Sequence, residues 1–351
     1  MRLLVFKVNQ LGDAVVFVPV LQQFRRLWPD AQITLWATPA TLPLYGGRWG
    51  TSDVHGHDRD GFNGLWRRPG RLLGLLRAGR SPRPAAALVS YDQGSVAHLI
   101  ARASGARFRI GSGALRIRAP HGLTHPVQPP EPPSIARWNW EMGRAVAQAL
   151  GRGDAWPTEP APPDLSHLVQ PVRPGNPSGP MVIHAGASRS FRQWPLERFA
   201  ALAGHLASLG RVAWVERPET AAVPLPPEVE RVACPTTADL VRLLATSRLF
   251  VGNNSGPMHV AAALGRPGVV ISGPTHPHWD PAWWPERWTV LRTRELACLP
   301  CESLQRAPTG CENQAAPHAC LAAWSVTAVA EACRQRLAAW ENPSAPNASS
   351  R

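Results

Sequence analysis

The chain has 351 residues, 44% hydrophobic and 17% charged, with 38 Pro and 29 Gly, which suits two packed domains of ordinary size joined by many stiff loops. Its net charge of +13 is carried by Lys7 and 36 Arg against 24 acidic residues, and from Arg59 to Arg118 twelve Arg stand against only Asp60 and Asp92. Such a balance attracts phosphates or acidic lipid headgroups. The sequence carries no aromatic-interleaved RNA signature and no DNA-reading motif, so no nucleic-acid partner is expected, and no run of 18 apolar residues could span a membrane.

In chain order, Arg2–Val8 reads as a short apolar strand and Asn9-Gln-Leu-Gly-Asp13 as the turn after it. Ala14–Trp28 has helical spacing, with Val15, Val18, Leu21 and Leu27 on one side and Pro19 as a point of kinking. Gln32–Ala37 is the next strand, so the chain opens as a strand–helix–strand unit of a parallel sheet. Residues 46–84 are rich in Gly and Arg and predict only a short helix over Gly70–Ala78. Ala85–Tyr91 predicts a strand, Gly94–Ala103 a helix and Phe108–Gly111 a further strand. Pro120–Pro133 reads as a loop, and Ser134–Leu150 as a helix capped by Ser134. Residues 151–180 hold eight Pro and four Gly, placing a linker over 156–180 between a first domain, 1–155, and a second, 181–340.

The second domain repeats the alternation. Strands are predicted at Met181–His184, Arg211–Val215, Leu249–Val251 and Val269–Ser272, and helices at Pro195–Leu209, Thr236–Ser247 and from Pro257 onward. Gly273–Asp280 is a turn-rich loop. Ser325–Trp340 is a final helix, with the option of packing back on the first domain, and 341–351 is expected to be a disordered tail. With an N-terminus that starts directly on a strand, the expectation is a cytoplasmic protein, with contact to the inner face of the cytoplasmic membrane open to it.

The segment most suggestive of chemistry is Gly252-Asn-Asn-Ser-Gly-Pro-Met-His259, where a strand breaks at small residues and a helix begins. Free N–H groups of a first helical turn, together with the helix dipole, favour an anion there, and Ser255 and Gly256 allow close approach. An ordinary strand-to-helix turn has the same composition. Asp13, at the carboxyl end of the first strand, suits either a general base or a helix cap. Ser188, Arg189 and Arg192 precede a helix and suit a diphosphate through planar paired donors. Glu216 and Glu219 follow the strand ending at Val215. Cys298-x2-Cys301-x9-Cys311-x8-Cys320 begins with metal-ligand spacing but lacks a second tight pair, leaving structural zinc or reduced thiols; Cys234 and Cys333 read as buried thiols. Asp58-Arg-Asp60 has Mg²⁺-like spacing, yet no clear strand precedes it, and a solvated loop pair is the simpler reading.

Three stretches together resemble glycosyltransferase family 9, the ADP-heptose–lipopolysaccharide heptosyltransferase family: Met1-Arg-Leu-Leu-Val-Phe-Lys-Val-Asn-Gln-Leu-Gly-Asp-Ala14, His184-Ala-Gly-Ala-Ser-Arg-Ser-Phe-Arg-Gln-Trp-Pro195, and the segment from Phe250 to Leu264. The resemblance spans roughly residues 1–335. It implies an α/β fold of two Rossmann-like domains facing a cleft, of the glycosyltransferase B type. It implies an inverting transfer of a heptose or related sugar from a nucleotide sugar, with ADP-heptose the expected donor, to a lipopolysaccharide core or related glycan. Asp13 falls on the family's catalytic base, with Gly12 and Asn9 on the acceptor side. Ser188, Arg189, Arg192, Glu219 (preferred over Glu216 on motif spacing), Asn254, Ser255, Gly256, Met258 and His259 fall on the donor side. The transfer is expected to need no cofactor and no metal, and the acceptor is expected to be a phosphorylated glycolipid. Two departures bear on the donor: Arg192 stands where the family usually has Lys, and Asn254 where its pattern has Asp. They leave open a different nucleotide-sugar donor, or a homologue that binds a glycan or nucleotide without transfer.

Overall fold

The computed structural model describes residues 1–46, 52–80, 82–114, 122–169, 178–293, 295–303, 306 and 308–341. The expected tail lies outside the described residues save for Glu341, as does residues 170–177 of the expected linker. The chain divides into two compact units, Met1–His167 and Leu168–Arg351.

The first unit runs β1 (Arg2–Lys7), α1 (Leu11–Val15), α2 (Val18–Leu27), β2 (Gln32–Ala37), β3 (Asp53–Gly56), α3 (Arg59–Asn63), α4 (Pro69–Arg80), β4 (Ala86–Val89), α5 (Ser95–Ala103), β5 (Phe108–Ser112), β6 (His125–Val127) and α6 (Ile135–Ala149). All six strands are parallel, in the order β3-β2-β1-β4-β5-β6. β1 and β4 are buried throughout, as strands covered on both faces must be, which is why they read as unbroken apolar runs. Phe6, Trp36, Phe62, Val89 and Ile100 belong to one core cluster.

The second unit runs β7 (Met181–His184), α7 (Leu196–Ala207), β8 (Val212–Glu216), β9 (Val229–Ala233), α8 (Thr237–Thr246), β10 (Leu249–Asn253), α9 (Gly256–Ala263), β11 (Gly268–Ile271), β12 (Trp288–Leu291), α10 (Ala319–Ala322) and α11 (Val326–Glu341). Its sheet, β12-β11-β10-β7-β8-β9, is also wholly parallel. Counted from its own first strand, it has the same 3-2-1-4-5-6 order as the first. In each sheet the order reverses between the first and fourth strands, where doubly wound sheets bind ligands beyond their carboxyl ends. Those switch points are β1/β4 and β7/β10.

Several predicted boundaries move. The helix expected over Ala14–Trp28 is two helices, because Pro19 lacks an N–H and sits in the first turn of α2 instead of kinking one long helix. Val329, Ala330, Cys333 and Leu337 of α11 are in the core of the second unit, against α7 and the β10–β12 side of its sheet. Four strands were not anticipated, β3, β6, β9 and β12, and they are the four sheet edges. Asp58 is the N-cap of α3, accepting from the Gly61 N–H at 3.1 Å, so the Asp58–Asp60 pair is accounted for as a helix start.

Candidate functional sites in the two units

At the first switch point the chain leaves β1 and enters α1 at once, placing Asp13 in the first helical turn instead of ahead of a helix. Asp13 is half-buried. Its Oδ2 accepts from Asn9 Nδ2 at 2.8 Å, and its Oδ1 accepts from the Tyr91 hydroxyl, just beyond β4. Tyr91 in turn stacks on Trp138 of α6, ring centroids 5.2 Å apart. These two bonds fix the plane of the carboxylate. Asn9 is buried, and Thr38 donates to its carbonyl at 2.7 Å. Asn9 therefore orients Asp13, and Gly12 is buried within α1.

Beneath Asp13 lies a buried cation. Lys7, the chain's one lysine, is fully buried at the end of β1, bonded to Asp92 at 3.1 Å and Ser90 at 2.9 Å, with its ammonium 4.9 Å from the Tyr91 ring centre. Ser90 also donates to Asp92 at 2.9 Å, and Gln93 bonds both Asp92 and the Val8 N–H, each at 3.1 Å. A buried charge survives only when paired and hydrogen-bonded, and here the pairing ties β1 to the end of β4. Sequence reading missed Lys7, Tyr91 and Asp92. The available signal was the chain's one lysine, at the end of a strand whose four central residues are apolar.

At the second switch point, Asn253 is fully buried and bridges the two strands' ends. Its Oδ1 accepts from the Trp194 N–H at 2.9 Å, and its Nδ2 donates to the Ala185 carbonyl at 2.8 Å. Gly252 is required by close approach, since a Cβ there would lie 2.8 Å from the His184 carbonyl oxygen. α9 then begins with Ser255 at its N-cap and Pro257 in the first turn. The Ser255 hydroxyl makes no cap hydrogen bond, and its oxygen is buried without a partner among the described residues. The Gly256 N–H and the Ser255 hydroxyl stand at this helix start, where an anion is favoured. His259 is buried within α9. Met258 is wholly buried in the core, and its N–H donates to the Ser255 carbonyl at 3.1 Å.

The donor-side arginines converge on one buried carboxylate. Arg192 is bonded to Glu302, which is 3% exposed, and Arg189 approaches the same carboxylate at 4.0 Å while donating to the Pro308 carbonyl. Glu302 was not singled out from sequence, and nothing in its local pattern marks it. Ser188 is exposed in the same loop. Glu219 lies against Gly186, where a Cβ would meet its Oε1 at 2.9 Å, whereas Glu216 turns to Arg231 at 3.7 Å. His184, buried beside them, is held down to about 4 by burial and then by Arg217, so its imidazole is neutral at pH 7.

Asn254 donates through Nδ2 to Asp280 at 3.1 Å and to Ser272 at 3.2 Å. Arg292 grips both Asp280 oxygens, at 2.7 and 2.8 Å, and also donates to Ser272 at 2.7 Å. A carboxylate of the 273–280 loop, Asp280, thus stands beside position 254 with its counter-charge.

Cys298, Cys301, Cys311 and Cys320 line one pocket with Phe191 and His318. Burial and the neighbouring thiols raise Cys301, and push Cys320 up to about 11. Among the described residues no group of three His, Cys, Asp or Glu side chains stands as a metal-ligand set. Cys333, buried in α11, is pushed up to about 12 by burial, and Cys234 is half-buried.

Residues 164–309 match the family model described as Glycosyltransferase family 9 (heptosyltransferase). No curated protein matches the sequence. Among solved structures, the Escherichia coli heptosyltransferase WaaC with ADP is similar over 96% of this chain and 100% of its own, with a TM-score of 0.68 and 18% identity. E. coli ADP-heptose LPS heptosyltransferase II is similar over 96% and 99%, with a TM-score of 0.63 and 20% identity. The iron-containing dodecameric glycosyltransferase TibC from enterotoxigenic E. coli H10407 is similar over 95% and 75%, with a TM-score of 0.57 and 16% identity. At these identities the likeness is one of fold, two parallel α/β sheets of the glycosyltransferase B type. The family-model match covers residues 164–309, and it is over this stretch that the sequence is similar to glycosyltransferase family 9.

Proposed function

We propose that this chain is an inverting, metal-independent glycosyltransferase that moves a heptose from ADP-heptose to a sugar hydroxyl of a lipopolysaccharide core or related glycan. The observation that carries the reading is the Asp13 carboxylate, held by Asn9 and Tyr91 at a switch point and still able to accept a proton. Asp13 takes the proton of the acceptor hydroxyl as that oxygen attacks the anomeric carbon. The bond to the diphosphate breaks on the opposite face, and the α9 start, with Ser255, Ser188 and Arg192, receives the departing charge. Arg192 reaches the diphosphate by exchanging Glu302 for phosphate oxygens. Glu219 serves the ribose hydroxyls, and Asn254 with His259 serves the sugar. A phosphorylated glycolipid acceptor suits the basic first unit.

The test is calorimetric titration with ADP, UDP, GDP and CDP, with and without EDTA. Selective ADP binding that survives EDTA supports the donor and the metal independence. Loss of binding in EDTA overturns the second point alone. The Asn254–Asp280–Arg292 arrangement favours one alternative, a family 9 transferase with another nucleotide-sugar donor. Selective binding of a different nucleotide would establish it. Absence of binding to all four would favour a homologue without transfer activity.

A further inference from the structure

We propose that α4, with the turn that leads into it, docks this chain onto an anionic lipid bilayer, the helix lying in the interfacial plane. The inference needs no sugar transfer and stands apart from the reading of the second unit.

One side of α4 is committed to the fold. Leu72, Leu75 and Leu76 pack against the first unit's core, and Gly79 lies so close to α5 that a Cβ would meet Ile100 at 2.9 Å. The helix's last turn is held from below by buried Arg2, which donates to the Ala78 carbonyl at 3.2 Å and the Gly79 carbonyl at 3.5 Å. The other side is open. Leu73 is 49% exposed, and Arg71, Arg77 and Arg80 are exposed with it. At 3.6 residues per turn, Leu73, Arg77 and Arg80 fall within an arc of about 60°. Gly70 and Gly74 come next around the helix, with nothing within 4 Å of where a Cβ would stand, so a flat surface could approach the backbone there. Just before the helix, Trp66 is 64% exposed in a 3₁₀ turn, with the Arg67 guanidinium over its ring at 4.8 Å.

The charge names the partner. Between Asp60 and Asp92 the sequence has no acidic residue and six Arg. Five of them, Arg67, Arg68, Arg71, Arg77 and Arg80, are exposed around the outward face of α4 and its leading turn. Basic side chains gain from the negative surface of an anionic leaflet, an exposed Trp suits the headgroup level, and a Leu beside them adds apolar insertion. A second copy of the chain fits poorly, since a two-fold contact would set these arginines against one another. Nucleic acid fits poorly too: one exposed aromatic offers no series of stacking platforms, and Leu73 would have nothing apolar to enter.

The full chain is sedimented with phosphatidylcholine vesicles containing phosphatidylglycerol, and with phosphatidylcholine vesicles alone. The expected result is binding to the first only, weakened by salt. Trp66→Ala and Leu73→Ser should each lower the partition by about tenfold. Replacing Arg67, Arg68 and Arg71 by Gln should flatten the salt dependence. Soluble glycerophosphate should not displace the protein. Wild-type partition in both apolar variants, equal binding to neutral vesicles, or displacement by glycerophosphate would overturn the proposal. If Leu73→Ser fails to fold, Trp66→Ala, outside the helix, reads the same contact. ADP titration of the same preparations keeps this result separate from the fate of the second-unit site.

Discussion

The Asn254 side-chain amide donates to the Asp280 carboxylate at 3.1 Å, and Arg292 holds the far side of that carboxylate with two bonds of 2.7 and 2.8 Å. An aspartate at 254 would bring a second carboxylate to the same distance, with one guanidinium to compensate both. In Asn254→Asp the pair should retain a proton, so its folded-state pKa lies above the unfolded carboxylate value. The sign follows: stability is kept at low pH and lost as pH rises through the raised pKa. We expect Asn254→Asp to melt near the wild-type temperature at pH 5 and to be destabilised by about 2 kcal/mol at pH 8. Adding Asp280→Asn should remove the difference. Melting curves across that range test both statements.

Asp13→Asn keeps the shape and removes the base. Turnover should fall by at least about 100-fold with ADP affinity and melting temperature unchanged. Tyr91→Phe removes one of the two groups orienting the carboxylate, and kcat should fall by about tenfold with little change in donor KM. Steady-state kinetics separates these from a loss of donor binding.

Glu302 sits buried between Arg192 and Arg189. Glu302→Gln leaves a half-buried guanidinium without its counter-charge. Because Arg192 is itself partly solvated, the cost should be about 2 kcal/mol, less than for a fully buried pair. In a denaturation double-mutant cycle, Arg192→Gln together with Glu302→Gln should cost less than the sum of the two singles.

His184 gives the fold an acid limit. Its folded pKa, about 4, lies below the unfolded value of about 6.5, so the unfolded chain binds the proton more readily. The stability it contributes is therefore fully present above about pH 6.5 and is lost as pH falls toward 4, by about 3 kcal/mol in all. His184→Gln should flatten that part of the pH–stability curve, as read by denaturant midpoints.

Most of the eight inner strands were legible because they are buried on both faces and so appear as short apolar runs; β5, Phe-Arg-Ile-Gly-Ser, is only half-buried at its start. The four edge strands were not. β3 and β9 are mostly exposed, and β6 is three residues with Pro126 at its centre, so none carries a period that sets it apart from a loop. In the candidate sites the same division holds. Asp13, Ser255 and Glu219 lie in local motifs, where a strand end and a helix start are read from neighbouring residues. Tyr91, Asp280, Arg292 and Glu302 reach their partners across long sequence separations, Tyr91 to Asp13 across 78 residues and Arg192 to Glu302 across 110. No local spacing encodes such pairs. The arginines at 189 and 192 were seen as ligands for phosphate, and the carboxylate that holds them was invisible until the chain was folded.

The most direct test of the central claim is transfer itself. Wild-type protein and Asp13→Asn are incubated with ADP-heptose and a heptose-accepting lipopolysaccharide core, and the product's anomeric configuration is read by NMR. The account predicts a product of inverted configuration, formed in the presence of EDTA by wild type and at least about 100-fold more slowly by Asp13→Asn. A product of retained configuration, or equal rates from the two proteins, would contradict it.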